Sequence, residues 1–451
     1  MAEETQGITK ITVGGYKSIL KETPIEIRPL TILAGTNSSG KSSIMQPMLM
    51  MKQTLDATYD PGPLLINGPN IRFTRFEQIK PLAQRESDSF LVTELEYGHV
   101  VKLKSSFSFT ESDNRNRSIR LSKMSVKSRR SSFDISPGME SEAIEKQVPK
   151  VFLESMVDTF VDREEMRDFE WQIIEERCFL QMVMSISGDD ITYNFPVSPF
   201  FDPVPMFEAQ IGNVIHVPGL RGNLQRTYPL PPVQGPRYPG HFHNYAGSLL
   251  LRWREEEHKN FSLVERDLNR IGLTKRINPE RVDDANVEIQ VGRLPVGAKK
   301  ARKDDLVSIA DVGVGVSQIL PVIVALIAAQ PGQLVYIEQP EMHLHPKAQV
   351  ALASVLADAA KRGVRVVVET HSALLLQGVQ TLIALDKLDN EDVMLHWFER
   401  DDEGYSKVDS VKPDVDGAYG EWKEDFGKTE LEVMGEYLRA VGERDAVPET
   451  A

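Results

Sequence analysis

The stretch that decides the fold is LTILAGTNSSGKSSIMQPMLMM, residues 30–51. It opens as a nearly continuous apolar run, as a buried strand should, and closes as a helix. Between the two, GTNSSGKS at residues 35–42 matches G-x-x-x-x-G-K-[ST], with the preceding strand and following helix that give this pattern its mechanism. Gly35 and Gly40 let the backbone curl until successive amides, over Asn37, Ser38, Ser39, Gly40 and Ser43, point at one anion. The positive end of the helix adds to them. Lys41 is then placed to reach the β and γ phosphates of a nucleotide, and Ser42 to hold Mg2+.

Toward the far end of the chain, residues 309–376 read as loop, helix, buried strand, loop, helix, buried strand. Strands alternating with helices imply a parallel sheet covered on both faces. One of these strands, QLVYIE, ends in Glu338, and a carboxylate at a strand's carboxyl edge can take a water of the Mg2+ shell. Glu338 is therefore the expected metal partner of Ser42. Between the two ends, TPIEIRPLTILAG reads as one strand after ITKITVGGYKSI, and residues 88–135 alternate as a separate antiparallel lobe. Residues 140–182 show helical periodicity broken at Pro149. Residues 216–247 read as an ordered Pro- and aromatic-rich loop, 247–271 as helix and VEIQVGR as a strand.

The expected fold class is α/β: a P-loop head with a mostly parallel sheet, an antiparallel β-lobe and a helical insertion. Its expected parts are 1–87 and 210–385 for the head, 88–135 for the lobe, 136–209 for a helical and β insertion, and 386–451 for an acidic segment. The chain has 451 residues, 41% hydrophobic and 26% charged, with a net charge of −14. The charge is uneven: residues 386–451 hold 20 acidic against 8 basic residues, whereas 99–133 hold nine Lys and Arg against Glu111 and Asp113. That basic stretch is large enough to attract a phosphate backbone, although edge strands are often guarded by such cations. The single cysteine, Cys178, excludes an internal disulfide framework and a thiolate metal cage. No basic-then-apolar leader precedes the first strand and no apolar run is long enough to span a bilayer, so a cytoplasmic protein without membrane contact is expected.

At these motifs the chain resembles the ABC-type ATPases of the RecF, SMC and OLD kind, and among them the compact ATPases of bacterial antiphage defence loci. The resemblance covers residues 7–85 and 210–430. GYKSI is similar to the segment lying against the adenine, which implies Tyr16 and Lys17 as base contacts. DVGVGVSQIL, 311–320, occupies the place of the signature loop, departing from the usual LSGGQ wording, and ETHS puts His371 at the switch histidine near the γ-phosphate. The resemblance implies ATP and Mg2+ as cofactors and a head-to-tail homodimer or higher homo-oligomer. In that dimer each nucleotide lies between one copy's Lys41 and the other's Gly313, Gly315 and Ser317. Arg221 and Arg226, in PGLRGNLQRTYP, are left open between phosphate, partner and opposite head. HLH falls where the family has its dimer-contact loop, and no metal other than Mg2+ is expected.

Most relatives carry a water-activating glutamate after the metal carboxylate, but here the residue is Gln339, which cannot take a proton at neutral pH. Gln339 can orient water without deprotonating it, Glu341 can substitute as the carboxylate, or hydrolysis can be very slow with ATP chiefly holding the dimer closed. The expectation is slow but real ATP hydrolysis by a sensor or regulatory subunit in antiphage defence. The stretch after His371 is too short for the Toprim nuclease of OLD-type relatives, so a separate, nuclease-like effector is expected. The alternatives are a non-hydrolysing, ATP-locked scaffold that sequesters an effector, and a RecF-like DNA-repair clamp binding nucleic acid through residues 99–133. The signature-like loop and His371 argue against a P-loop kinase.

Overall fold

The computed structural model describes residues 6–84, 90–111, 117–129, 132–148, 169–187, 192–196, 203–219, 225–294, 305–420 and 435–439. In chain order the strands begin with β1 (Ile8–Gly14), β2 (Thr23–Glu26), β3 (Leu30–Gly35), β4 (Phe90–Tyr97), β5 (Val101–Glu111), β6 (Arg117–Lys127) and β7 (Ser132–Ile135). They continue with β8 (Phe169–Glu176), β9 (Phe179–Ser187), β10 (Thr192–Pro196), β11 (Ile215–Val217), β12 (Thr227–Pro229), β13 (Ile277–Arg281), β14 (Asn286–Gly292) and β15 (Leu306–Ser308). The last four are β16 (Leu334–Glu338), β17 (Arg365–Glu369), β18 (Val393–Arg400) and β19 (Ser406–Val411).

The central sheet has the order β11-β16-β17-β3-β18-β19 and is parallel except at its edge, where β19 pairs antiparallel with β18. Its inner strands β16, β17 and β3 are largely apolar and buried because both faces are covered, whereas the edge strand β19, SKVDSV, is polar and partly exposed. Leu33, Leu334, Tyr336, Val367 and Phe398 pack into a core shared with the Lys41–Asp56 helix and the antiparallel sheet. The alternate residues Ile32, Val335, Ile337, Val366 and Val368 join a second core with the helices Val314–Ala328, Pro346–Lys361 and Ala373–Ala384. Burying each such aliphatic side chain contributes roughly 1.5–3 kcal/mol before conformational entropy is subtracted. The carboxyl ends of β3, β16 and β17 therefore lie side by side at one edge, where open α/β sheets bind ligands. Among the described residues no helix is long and apolar enough to cross a membrane.

Several expectations are corrected. TPIEIRPLTILAG is two strands in two sheets: β2 pairs with β1, and β3 sits in the central sheet. Pro29 ends the first register, and the Arg28 amide donates to the Thr31 hydroxyl across the turn. The lobe expected to be separate continues the N-terminal hairpin, because β4 pairs with β1 and the order is β2-β1-β4-β5-β6-β7. The helical reading of 140–182 is replaced, where described, by the short helix Ser141–Glu145 and the β8–β9 hairpin. Arg177 makes the turn at φ 52°, and Trp171 packs into the core while Glu170 on the other face is exposed. Residues 149–168 lie outside the described residues. The helix expected over 247–271 is two, Ala246–Glu255 and Lys259–Ile271, the second capped by His258, whose Nδ1 accepts from the Asn260 amide.

Candidate functional site

The turn from β3 into the Lys41–Asp56 helix has its backbone in the left-handed region at Gly35 (φ 134°), Ser38 (φ 58°) and Gly40 (φ 106°). At two of the three only glycine fits: a Cβ on Gly35 would lie 2.0 Å from the Phe398 carbonyl oxygen, and one on Gly40 2.2 Å from Ser406 Oγ. The curled loop is held from outside by Arg400 Nε donating to the Ser38 carbonyl (2.7 Å) and Ser406 Oγ donating to the Ser39 carbonyl (2.6 Å). Ser18 Oγ lies 2.7 Å from Ser406 Oγ, and Ser39 Oγ donates to the Thr36 carbonyl. This arrangement presents a concave row of amides suited to an anion.

The loop borders a cavity of about 640 Å3 lined by Lys17, Ser18, Asn37 to Ser43, Gln46, Gln339, Glu369, His371 and Arg400. Lys41 is 3% exposed, and its Nζ donates to the carbonyls of Gly35 (3.2 Å) and Thr36 (2.6 Å). Burial lowers its pKa, opposed by the negative charges of Glu369 and Glu341. Lys17, at φ 50°, donates through Nζ to Gln46 Oε1 (2.7 Å), and burial pulls its ammonium down to about 8. His371 is held below its ordinary value by burial and by the charge of Lys41, and so is neutral at pH 7. The chemistry and the size both fit a polyphosphate with a divalent cation: amide donors, cations, one P-loop hydroxyl and a carboxylate.

The expected metal pair does not meet. Ser42 Oγ donates instead to Glu369, 2.8 Å from Oε2 and 3.0 Å from Oε1. Glu338 has both oxygens engaged elsewhere: Oε1 with His216 Nε2 at 3.1 Å and Oε2 with the Gly219 amide at 3.0 Å. His216 belongs to β11, next to β16, with its Nδ1 3.0 Å from Asn70 Nδ2. The amide is the donor there, so the ring proton is on Nε2 and points at Glu338. Burial alone would raise the Glu338 pKa, but the hydrogen bonds from His216 and the Gly219 amide hold it below the usual carboxylate range.

Gln339 does line the cavity. It adopts φ 43°, and its amide donates to the Glu369 carbonyl (2.7 Å), turning the chain away from β16 at that point. Glu341 is not among the lining residues; its Oε1 accepts from the His371 amide (2.8 Å) and so braces the loop after β17. Tyr16 also departs from expectation. It is fully buried, with its hydroxyl donating to Gln46 Oε1 (2.8 Å), and leaves Lys17 alone of that pair at the cavity.

Gly313, Gly315 and Ser317 open the Val314–Ala328 helix and are not part of this cavity. Gly313 is exposed with nothing near its Cβ position, Ser317 Oγ donates to the Val314 carbonyl, and Gly315 lies against the His343 carbonyl. The signature-like turn and the HLH loop are thus neighbours on one surface. Arg226 forms a bidentate pair with Asp311 beside that turn (2.7 and 3.0 Å), whereas Arg221 lies outside the described residues. Among the described residues no cluster of His, Cys, Asp and Glu is arranged to hold a metal ion.

The basic stretch has a mixed character once folded. Alternate residues of β4 to β7 face a concavity of about 900 Å3 that holds Lys102, Lys104, Lys123, Lys127 and Arg129 together with Glu22, Glu94 and Asp134. Three of its lysines are paired: Lys102 with Glu96, Lys104 with Glu22 and Lys123 with Asp134. Arg115 and Arg130 lie outside the described residues.

Sequence reasoning missed Glu369, Gln46, Ser18 and Arg400. Glu369 stands in the ETHS motif, whose pattern singles out the histidine; Ser18 and Arg400 reach the loop through tertiary pairing that no local pattern encodes, and Gln46, on the helix after the loop, accepts from Tyr16 and Lys17.

Residues 239–377 match the protein family described as "AAA domain, putative AbiEii toxin, Type IV TA system". No curated protein matches the chain. Among solved structures, an SMC head bound to the C-terminal winged-helix domain of ScpA is 13% identical, covering 90% of this chain and 98% of its own at a TM-score of 0.42. An SMC head domain from Thermotoga maritima is 11% identical over 90% of this chain and 99% of its own, at a TM-score of 0.37. An SMC head with an extended coiled coil, bound to a ScpA domain derived from Pyrococcus furiosus, is 12% identical over 96% and 99%, at 0.39.

Proposed function

We propose that this chain binds Mg2+ATP in the cavity over Lys41 and hydrolyses it slowly. The reading rests above all on one observation: a left-handed amide loop, the Lys41 ammonium and the Ser42 hydroxyl converge on a single cavity that also holds Glu369, Gln339 and His371. Lys41 would leave its two carbonyl partners for the β and γ phosphates, and Ser42 with the nearby carboxylate would hold the cation, which supplies charge neutralisation to the phosphates when bound. Gln339 would orient water, and neutral His371 would hydrogen-bond the γ-phosphate.

The nucleotide is further proposed to join two copies head to tail. Within one chain the Gly313–Ser317 turn lies outside the cavity, so its amides are available to the phosphate of a neighbour. The physiological setting we infer is a regulatory ATPase of antiphage defence working with a separate effector. The toxin–antitoxin wording of the matched family supports conditional, partner-controlled activity.

Phosphate release tests the enzymatic part: steady turnover in the native protein that Lys41→Ala abolishes is expected. ATP binding without any turnover would favour the ATP-locked scaffold, a reading that Gln339 keeps in play. The DNA-clamp reading is weakened by the internal pairing of Lys102, Lys104 and Lys123.

A further inference from the structure

Of the three left-handed positions in the phosphate loop, two are glycines, which enter that region freely, whereas Ser38 at φ 58° carries a side chain that disfavours it. A residue in such a conformation persists only where its surroundings hold it there. The Ser38 carbonyl accepts from Nε of Arg400, the last residue of β18, at 2.7 Å. The next carbonyl along, that of Ser39, accepts at 2.6 Å from Oγ of Ser406, the first residue of β19. Arg400 and Ser406 are register partners across the β18–β19 hairpin, so one cross-strand pair holds two successive carbonyls of the loop.

In a trans peptide the N–H points away from the C=O. Carbonyls of Ser38 and Ser39 held against the hairpin therefore aim the Ser39 and Gly40 amides the other way, toward the cavity that both residues line. The hairpin can hold them because it is itself fixed. Arg400 Nη1 donates to the Gly404 carbonyl (2.9 Å), and the turn is closed by the Gly404 amide on the Asp401 carbonyl and by the Glu403 and Tyr405 amides on Asp401 Oδ1. The Ser406 amide donates to the Ser18 carbonyl at 2.7 Å. Ser406 has one hydroxyl proton, which goes to Ser39, so the 2.7 Å contact between Ser18 Oγ and Ser406 Oγ has Ser18 as its donor.

We propose that Arg400 is a positioning residue of the nucleotide site: through the Ser38 carbonyl it holds the phosphate loop in its anion-binding form before the ligand arrives. The inference rests on the nucleotide-binding reading above and adds to it a hairpin that no sequence motif marks. A loop preformed in this way binds without first ordering its backbone, which raises affinity with no new contact to the ligand. Without Arg400 the Ser38 backbone relaxes toward the right-handed and extended regions that serine prefers, and the nucleotide must drive it back.

The test is a double-mutant cycle read as the affinity of the full chain for a fluorescent ATP analogue in EDTA, with melting temperatures confirming that each variant is folded. Arg400→Ala is expected to weaken binding at least ~10-fold in the native background, as the loss of a hydrogen bond from a charged group does, and less than ~3-fold in the Ser38→Gly background, where glycine enters the left-handed region unaided. Equal losses in the two backgrounds mean that the guanidinium acts on the nucleotide directly, and a loss below ~3-fold in the native background means that the loop holds itself; either result overturns the proposal. Arg400 is exposed at the end of its strand, so its removal leaves the core intact. If Arg400→Ala still fails to fold, Arg400→Lys, which keeps the charge but not the fork that spans two carbonyls, is expected to show the same pair of losses, and native affinity there overturns the proposal equally. Native protein that binds no nucleotide removes the underlying reading and this inference with it; native binding with an indifferent Arg400→Ala removes the inference alone.

Discussion

Gln339 reaches the cavity from a left-handed backbone position with an amide where a base would raise the rate. A well-placed general base contributes typically 10²- to 10⁴-fold, so Gln339→Glu is expected to raise phosphate release at neutral pH by at least ~10-fold. Unchanged turnover would mean that this side chain does not face the attacking water. Lys17 permits a second prediction at the same scale. Its ammonium is pulled down to about 8 in the free protein, so near pH 8 a substantial fraction is neutral. Phosphate binding favours the charged form, and nucleotide binding at pH 8 should therefore take up protons. Calorimetry in two buffers of different ionisation enthalpy measures that uptake, which Lys17→Arg should remove. The phosphate-loop residues, Gln339 and His371 were legible in the sequence because each sits in a local pattern with a mechanism. Glu369 was not, because its meaning depends on β17 lying next to β3, and the capture of Glu338 depends on β11 bringing His216 alongside.

At the scale of elements, β18 holds β3 from the other side, and both the phosphate loop and the acid stability of the fold depend on that pairing. Gly35 sits opposite Phe398 with no room for a Cβ. Gly35→Ala is expected to cost at least ~2 kcal/mol, read as a lower denaturation midpoint, together with loss of nucleotide affinity. His396, fully buried on β18, bonds the Glu26 carbonyl through Nε2 (2.8 Å) and Ser410 Oγ through Nδ1 (2.7 Å). Facing a carbonyl, Nε2 must donate, which leaves Nδ1 as acceptor and the ring neutral. Burial pushes its pKa down to about 4, below the unfolded value near 6.5. The unfolded chain thus binds the extra proton first on acidification. Stability is complete above pH 6.5 and falls by about 3 kcal/mol as pH drops toward 4. Melting temperatures across that window should fall less steeply in His396→Gln, which keeps a donor and an acceptor but cannot charge. The α/β alternation was readable because its period changes between strand and helix. The β8–β9 hairpin was not, since the Glu-rich β8 carries its apolar residues at spacings that a helix also accepts and the apolar run of the buried β9 has no strict alternation.

For the whole molecule, the separation of the cavity from the Gly313–Ser317 turn is the feature with the largest consequence, because it leaves each half of the proposed composite site incomplete in one copy. The sequence placed both halves through their motifs but could not show that they are apart within one chain. Gly313 is exposed and its Cβ position is open, so Gly313→Glu adds a carboxylate to the turn without disturbing the fold, where it would repel a neighbour's phosphate. The most direct test is sedimentation velocity of the full chain with Mg2+ and a non-hydrolysable ATP analogue, with bound nucleotide read in the same boundary. The account predicts a dimer with one nucleotide per copy in the native protein, none bound in Lys41→Ala, and a monomer that still carries nucleotide in Gly313→Glu. A native protein that stays monomeric while saturated with nucleotide, or a Gly313→Glu variant that dimerises as well as the native chain, would contradict it.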